Sequence, residues 1–235
     1  MKTHLRRLTL ATALAMALMG AGHAALAAEP ESDCQTSSFP GTFADGVSIA
    51  SVNAPRLPIL RDEDGCPEAG ESCQTKAYIV LGDKVITAQA RGPFRCVAYL
   101  GKQGQTTGWV RQDGLSPADA APVGDWAGVW KRARGSGTLT IRKRGQHYDA
   151  DMLATATTAN PENVRTGAAS GTMTIDGMQA TVIDGRPEEN DVCRVDIRRL
   201  GALLLVNDGG TPDANSECDG MGVTLNGVYR RTSRP

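Results

Sequence analysis

From residue 126 onward, apolar and polar side chains alternate with period two. Leu139 and Ile141 stand against Thr138, Thr140 and Arg142, and Val195 and Ile197 against Arg194, Asp196 and Arg198. Val223, Leu225 and Tyr229 stand against Thr224, Asn226 and Arg230. Such a period puts one face of a sheet in a core and the other in water. With residues 126–132, 148–154, 171–175, 179–183 and 202–206, it predicts about eight strands. The front half carries shorter strand-like runs at 47–52, 77–80, 84–90, 94–100 and 106–111. Gly82-Asp83, Arg91-Gly92-Pro93 and residues 101–104 break them. No amphipathic helix of ordinary length fits either half, so the chain reads as all-β.

The stretch 116–124, Ser-Pro-Ala-Asp-Ala-Ala-Pro-Val-Gly, has no apolar period. It reads as a boundary, with the linker proper at 118–124, between a module at 29–117 and another at 125–235. Modules of this size bury limited cores, a physical reason for covalent staples. All six cysteines follow residue 28. Cys66 and Cys73 flank a short Pro/Gly turn that can close on itself. Cys34 with Cys96 would then pin the start of the first module, and Cys193 with Cys218 would staple the second. Six cysteines allow 15 pairings, so this set is a preference. No C-x-x-C occurs, which argues against a redox or zinc site.

Residues 1–28 read as a secretory signal peptide. Lys2, Arg6 and Arg7 precede an apolar run from Leu8 to Met19, and Ala25-Leu26-Ala27 gives the small-x-small cleavage pattern. The run is too short for a bilayer span, which needs about 20 apolar residues. An even cysteine count suits an oxidising compartment, and the periplasm is the expected location. Cleavage leaves 22 of the 25 Lys+Arg against 26 Asp+Glu. No bulk basic footprint for nucleic acid exists in that balance, and no membrane span is expected once the leader is removed.

Of three histidines only His147 follows the leader. That excludes a His-pair metal site and leaves at most one imidazole for catalysis. A Ser-His-Asp triad would have to use His147, yet no G-x-S-x-G is present and Ser136 lies between two glycines without that framing. Asp149 and Asp151 share a strand face, as an acid/base pair would, but a solvated face explains them as well. Asp208, Asp213, Asn215, Glu217 and Asp219 crowd a Gly/Pro loop without the order of an EF-hand; a polar turn is the competing reading. No catalytic residue, metal or cofactor is therefore expected. Arg142, Lys143 and Arg144 form a basic turn suited to an acidic partner. Tyr78, Tyr99 and Trp109 are binding candidates of the first module, although a strand Trp also serves as core.

The run Ala77-Tyr78-Ile79-Val80-Leu81-Gly82-Asp83-Lys84-Val85, with Phe94-Arg95-Cys96-Val97-Ala98-Tyr99, Gly108-Trp109-Val110 and Leu115, resembles bacterial SH3-like domains over residues 43–117. The resemblance implies a small barrel whose aromatics line a peptide groove. An acidic, cysteine-containing insertion at 61–75 departs from that pattern. Trp126-Ala127-Gly128-Val129-Trp130, Cys193-Arg194-Val195 and the run from Cys218 to Arg231 resemble a C-terminal β domain of secreted proteobacterial proteins. Some of those also carry an LprI-type lysozyme-inhibitor region, which this chain lacks. The same two ends are faintly similar to lipocalin-like barrels, in which Gly-x-Trp on the first strand meets an Arg on the last.

The expected architecture is a small SH3-like barrel followed by an antiparallel barrel or sandwich of about eight strands. The expected function is non-catalytic binding in the periplasm, with peptidoglycan or an envelope protein as partner. Inhibition of a cell-wall hydrolase, as lysozyme inhibitor or toxin-immunity factor, is the specific form the resemblance implies. The alternative is a carrier of a small apolar ligand inside the C-terminal barrel.

Overall fold

The structure, a computed structural model, describes residues 33–35, 47–63, 65–102, 104–118, 124–157, 160, 163–185, 192–209, 218 and 222–233. Residues 1–28, read above as a leader, most of the expected linker and four of the five crowded loop side chains (Asp213, Asn215, Glu217 and Asp219) lie outside these residues. Strands dominate; among the described residues the only helical turns are 3-10, at Gly70–Cys73 and Gln112–Gly114. No helix among them is long and apolar enough to cross a membrane.

The first module is a seven-stranded sheet of β1 (Ser48–Val52), β2 (Arg56–Leu60), β3 (Gln74–Val80), β4 (Lys84–Arg91), β5 (Phe94–Gly101), β6 (Gly104–Arg111) and β7 (Leu115–Pro117). Its order is β3-β2-β6-β5-β4-β1-β7. The sequence periodicity points to all of these except β2 and β7. Pro58 hides β2, because proline cannot donate to a ladder. The strand tolerates it beside a bulge between Pro58 and Leu60, and it meets β6 only at Leu60–Trp109.

The second module has the eight strands expected: β8 (Gly128–Arg132), β9 (Ser136–Arg144), β10 (His147–Thr157), β11 (Val164–Asp176), β12 (Gln179–Asp184), β13 (Cys193–Leu200), β14 (Leu203–Asn207) and β15 (Gly227–Ser233). Each pairs antiparallel with its sequence neighbour, and β15 returns onto β8, so the sheet is a closed barrel. Four hairpins of the molecule turn on a two-residue Gly-x loop: Gly92-Pro93, Gly145-Gln146, Gly177-Met178 and Gly201-Ala202. Only the glycine in each has positive φ, the signature of a type II′ turn, whose twist matches that of the strands.

The inward residues fill the barrel as the alternation requires. Trp130, Leu139, Ile141, Val195, Ile197, Leu204 and Tyr229 are completely enclosed in one cluster with Met152 and Met173. The first module has a smaller core of its own around Ile59, Ile79, Val97 and Val110. A third cluster joins the modules. Leu200, Leu205 and Val228 on the outside of the barrel pack with Val47, Ile86, Phe94 and Trp109, and Arg230 donates to the carbonyls of Leu100 and Gly101. The disulfides are Cys34–Cys96, Cys66–Cys73 and Cys193–Cys218, the preferred pairing.

Candidate functional site

Of the aromatics singled out from sequence, Trp109 has no exposed surface. Its indole N–H donates to Asp62 Oδ1 at 2.9 Å and the Arg91 guanidinium lies 4.7 Å from its ring. Asp62 also accepts the Cys34 backbone N–H, so the acidic insertion is an internal clasp holding the N-terminal segment. Trp109 thus fills the core, the second of its two readings. Tyr78 is exposed on edge strand β3, its ring covered by Arg56 at 3.8 Å. Tyr99 is half-buried and does line a cleft.

Two of the three basic side chains of the turn, Arg142 and Arg144, have counter-charges. Arg142 pairs with Asp151, Arg144 lies 3.7 Å from Asp149, and His147 lies 3.9 Å from Asp149. Lys143 reaches the Tyr148 ring at 5.9 Å. Asp149 further accepts the Thr172 hydroxyl at 3.0 Å. Ser136 pairs in register with Thr155, eight residues along β10 from His147. At about 3.3 Å per residue that separates serine from histidine by roughly 26 Å, far outside proton-transfer reach. Among the described residues no group of three or more metal-ligating side chains assembles. Asp208 is buried, accepting the Thr224 hydroxyl and the Leu225 N–H at 2.7 Å, which ties a loop to the barrel.

Arg199 and Arg231 meet the two tryptophans of the barrel's opening segment. The Arg231 guanidinium sits 4.6 Å over the Trp130 ring, and Arg199 lies 5.6 Å from Trp126 and 5.8 Å from Trp130. Gly128-x-Trp130 on the first strand therefore does meet an arginine of the last. Arg199 donates to the Gly124 and Asp125 carbonyls at 2.6 and 2.8 Å. Burial first, and the Arg231 charge second, lower its guanidinium from the ordinary value. The Asp125 carboxyl is lowered chiefly by the Ala127 N–H and, against burial, by the Tyr148 hydroxyl. This cluster fastens residues 124–127 to the barrel; its donors point at backbone carbonyls.

A half-open cleft of about 670 Å³ lies between the modules. Val47 and Ile49 of the segment entering and forming β1, Ile86 of β4, and Ala98 to Leu100 of β5 form one wall. Met178, Leu200, Ala202 and Leu203, from two hairpin turns of the barrel and their flanks, form the other. The Arg199 N–H donates to Met178 O at 2.7 Å, fixing one of those turns. Among the described residues, the charged side chains lining the cleft are Lys84, Arg198 and Arg230 and one carboxylate, Asp83. Arg198, Arg230 and Met178 were not singled out from sequence. The available signal was the unbroken run Leu203-Leu204-Leu205-Val206, apolar on both faces where its neighbours alternate.

In comparisons with protein families, with curated proteins and with solved structures, nothing matches this chain.

Proposed function

We propose that the protein is a non-catalytic periplasmic binding protein that holds an envelope component in the cleft between its two modules. The observation that carries this reading is the cleft itself: about 670 Å³, within the range that encloses small ligands, walled by apolar groups of both modules. The separation of Ser136 from His147 supports a binding role over hydrolysis. Three disulfides suit an oxidising compartment. The strand order β6-β5-β4-β1-β7, with a 3-10 turn before β7, supports the SH3-like reading of the first module. The up-and-down closure and the Trp130–Arg231 contact support a lipocalin-like reading of the second. The proposal puts the ligand outside the barrel, because Trp130, Tyr229 and their neighbours occupy its interior.

The test is co-sedimentation of the oxidised mature protein with a washed envelope fraction, run beside an Ala202→Trp variant. Ala202 is an exposed turn residue on the cleft wall, so its replacement fills the cleft while the fold is kept. Retention that Ala202→Trp loses, with an unchanged circular dichroism spectrum, is the expected result. No retention, or retention the variant keeps in full, would overturn the reading. Inhibition of a lysozyme-type muramidase, measured in the same preparations, tests the narrower form of the proposal.

A further inference from the structure

We infer that the occupant of this cleft is a single-chain amphiphile with a carboxylate head. The inference rests on the binding reading above and names the class of ligand. Ile49, Leu100 and Leu203 pack at the edge of the inter-module core but remain partly exposed, and Met178 is 45% exposed. Leaving such surface wet forgoes roughly 25 cal/mol per Å², and an acyl chain along these walls recovers it. Among the described residues, the charged groups lining the cleft are Lys84, Arg198 and Arg230 with one carboxylate. That carboxylate, on Asp83, already accepts the Val80 N–H at 3.0 Å and lies 3.5 Å from the Tyr99 hydroxyl. Arg230 directs two donors at the carbonyls of Leu100 and Gly101; a guanidinium has five, and its charge remains. Among the described residues, Lys84 and Arg230 thus outnumber the one carboxylate that lines the cleft, which favours an anionic head on a ligand lying against its apolar walls.

An extended peptide is the poorer fit. β4 and β5 are each paired on both sides, β1 lies between β4 and β7, and β13 and β14 belong to the closed barrel. The cleft thus offers no sheet edge for a strand to extend.

Dodecanoate, compared with dodecanol by native mass spectrometry and titration calorimetry, tests the inference on the oxidised mature protein. One dodecanoate is expected per chain, with dodecanol about tenfold weaker. Lys84→Glu reverses an exposed charge and should weaken dodecanoate about tenfold while leaving dodecanol unchanged. Ala202→Trp should abolish both. Equal binding of acid and alcohol, or dodecanoate binding that survives Ala202→Trp, would overturn the assignment. So would absence of binding. If dodecanoate fails while envelope retention is still lost in Ala202→Trp, the ligand class falls and the binding site stands. If neither is observed, both fall.

Discussion

The two modules conceal their cores by different means. The barrel closes on itself: β15 hydrogen-bonds to β8, every strand has two neighbours, and one continuous apolar cluster fills the interior. The first module stays open, with β3 and β7 as its edges. It recruits two of the three disulfides, the Asp62 clasp, and apolar side chains from the outer face of the barrel. A sheet closed by backbone bonds is complete without help. A small open sheet must be completed from outside, covalently or by a neighbour's surface.

The strongest test of that asymmetry is Leu205→Asp. Leu205 is fully enclosed, on the barrel's outer face, paired with Val228 and covered by the first module. A carboxylate there has no partner and should cost about 4 kcal/mol or more. Proteolysis should then cut within residues 47–118 while the near-ultraviolet signal of the buried barrel aromatics persists. Simultaneous loss of both modules in one step would mean that the dependence is mutual.

Removing the staples one pair at a time sharpens the comparison. The sequence separations are 62 for Cys34–Cys96, 25 for Cys193–Cys218 and 7 for Cys66–Cys73. Loop-closure entropy gives losses of about 4, 3.5 and 2 kcal/mol in that order when each pair is replaced by serine. Urea unfolding reads the ranking. A larger loss at Cys193–Cys218 than at Cys34–Cys96 would show that the barrel leans on its disulfide more than its closed ladder implies.

The barrel was the more legible module, for the same reason that it is self-sufficient. Its eight strands obey one rule, with Leu139, Ile141, Val195 and Ile197 inside and polar neighbours outside, and period two exposes that rule directly. The first module breaks rules locally. Pro58 sits within a strand, and Gly108 lets β2 approach β6 so closely that a Cβ there would lie 2.5 Å from Leu60 O. Trp109 could be read as groove or core from its sequence neighbours; burial beneath Arg91 and Asp62 comes from residues far along the chain. The cleft was hidden because it belongs to neither module alone. Its trace in the sequence is the second apolar face at Leu203 and Leu205, which a search for one wet face passes over.

Each module buries one tryptophan completely, and the partner of the indole N–H differs. Trp109 donates to the Asp62 carboxylate at 2.9 Å, Trp130 to the Trp126 carbonyl at 3.2 Å. Hydrogen bonds to charged groups contribute about 1.5–3 kcal/mol and neutral ones about 0.5–1.5. Beyond the loss of ring area common to both, Trp109→Phe should cost about 1 kcal/mol more than Trp130→Phe. Denaturant midpoints of the two variants decide it. Equal losses would mean that the clasp at Asp62 holds the N-terminal segment through the Cys34 N–H without the indole.

The smallest effect separates the modules by pH. Asp125 fastens the segment before β8 through the Ala127 N–H at 3.1 Å and the Tyr148 hydroxyl at 2.9 Å, and its carboxyl is lowered in the folded protein. A lowered acid contributes stability above its unfolded value, near 3.9, that is lost as pH falls through the folded value. Asp125 is exposed, so solvent screening holds the contribution below about 1 kcal/mol. Asp125→Asn should therefore lower barrel stability slightly at pH 7 and make no difference once pH is well below the folded value. The readout is thermal unfolding of the barrel between pH 7 and pH 2. A deficit that persists undiminished at the acid end would assign the fastening to Arg199 and Arg231, which donate to the Gly124 and Asp125 carbonyls.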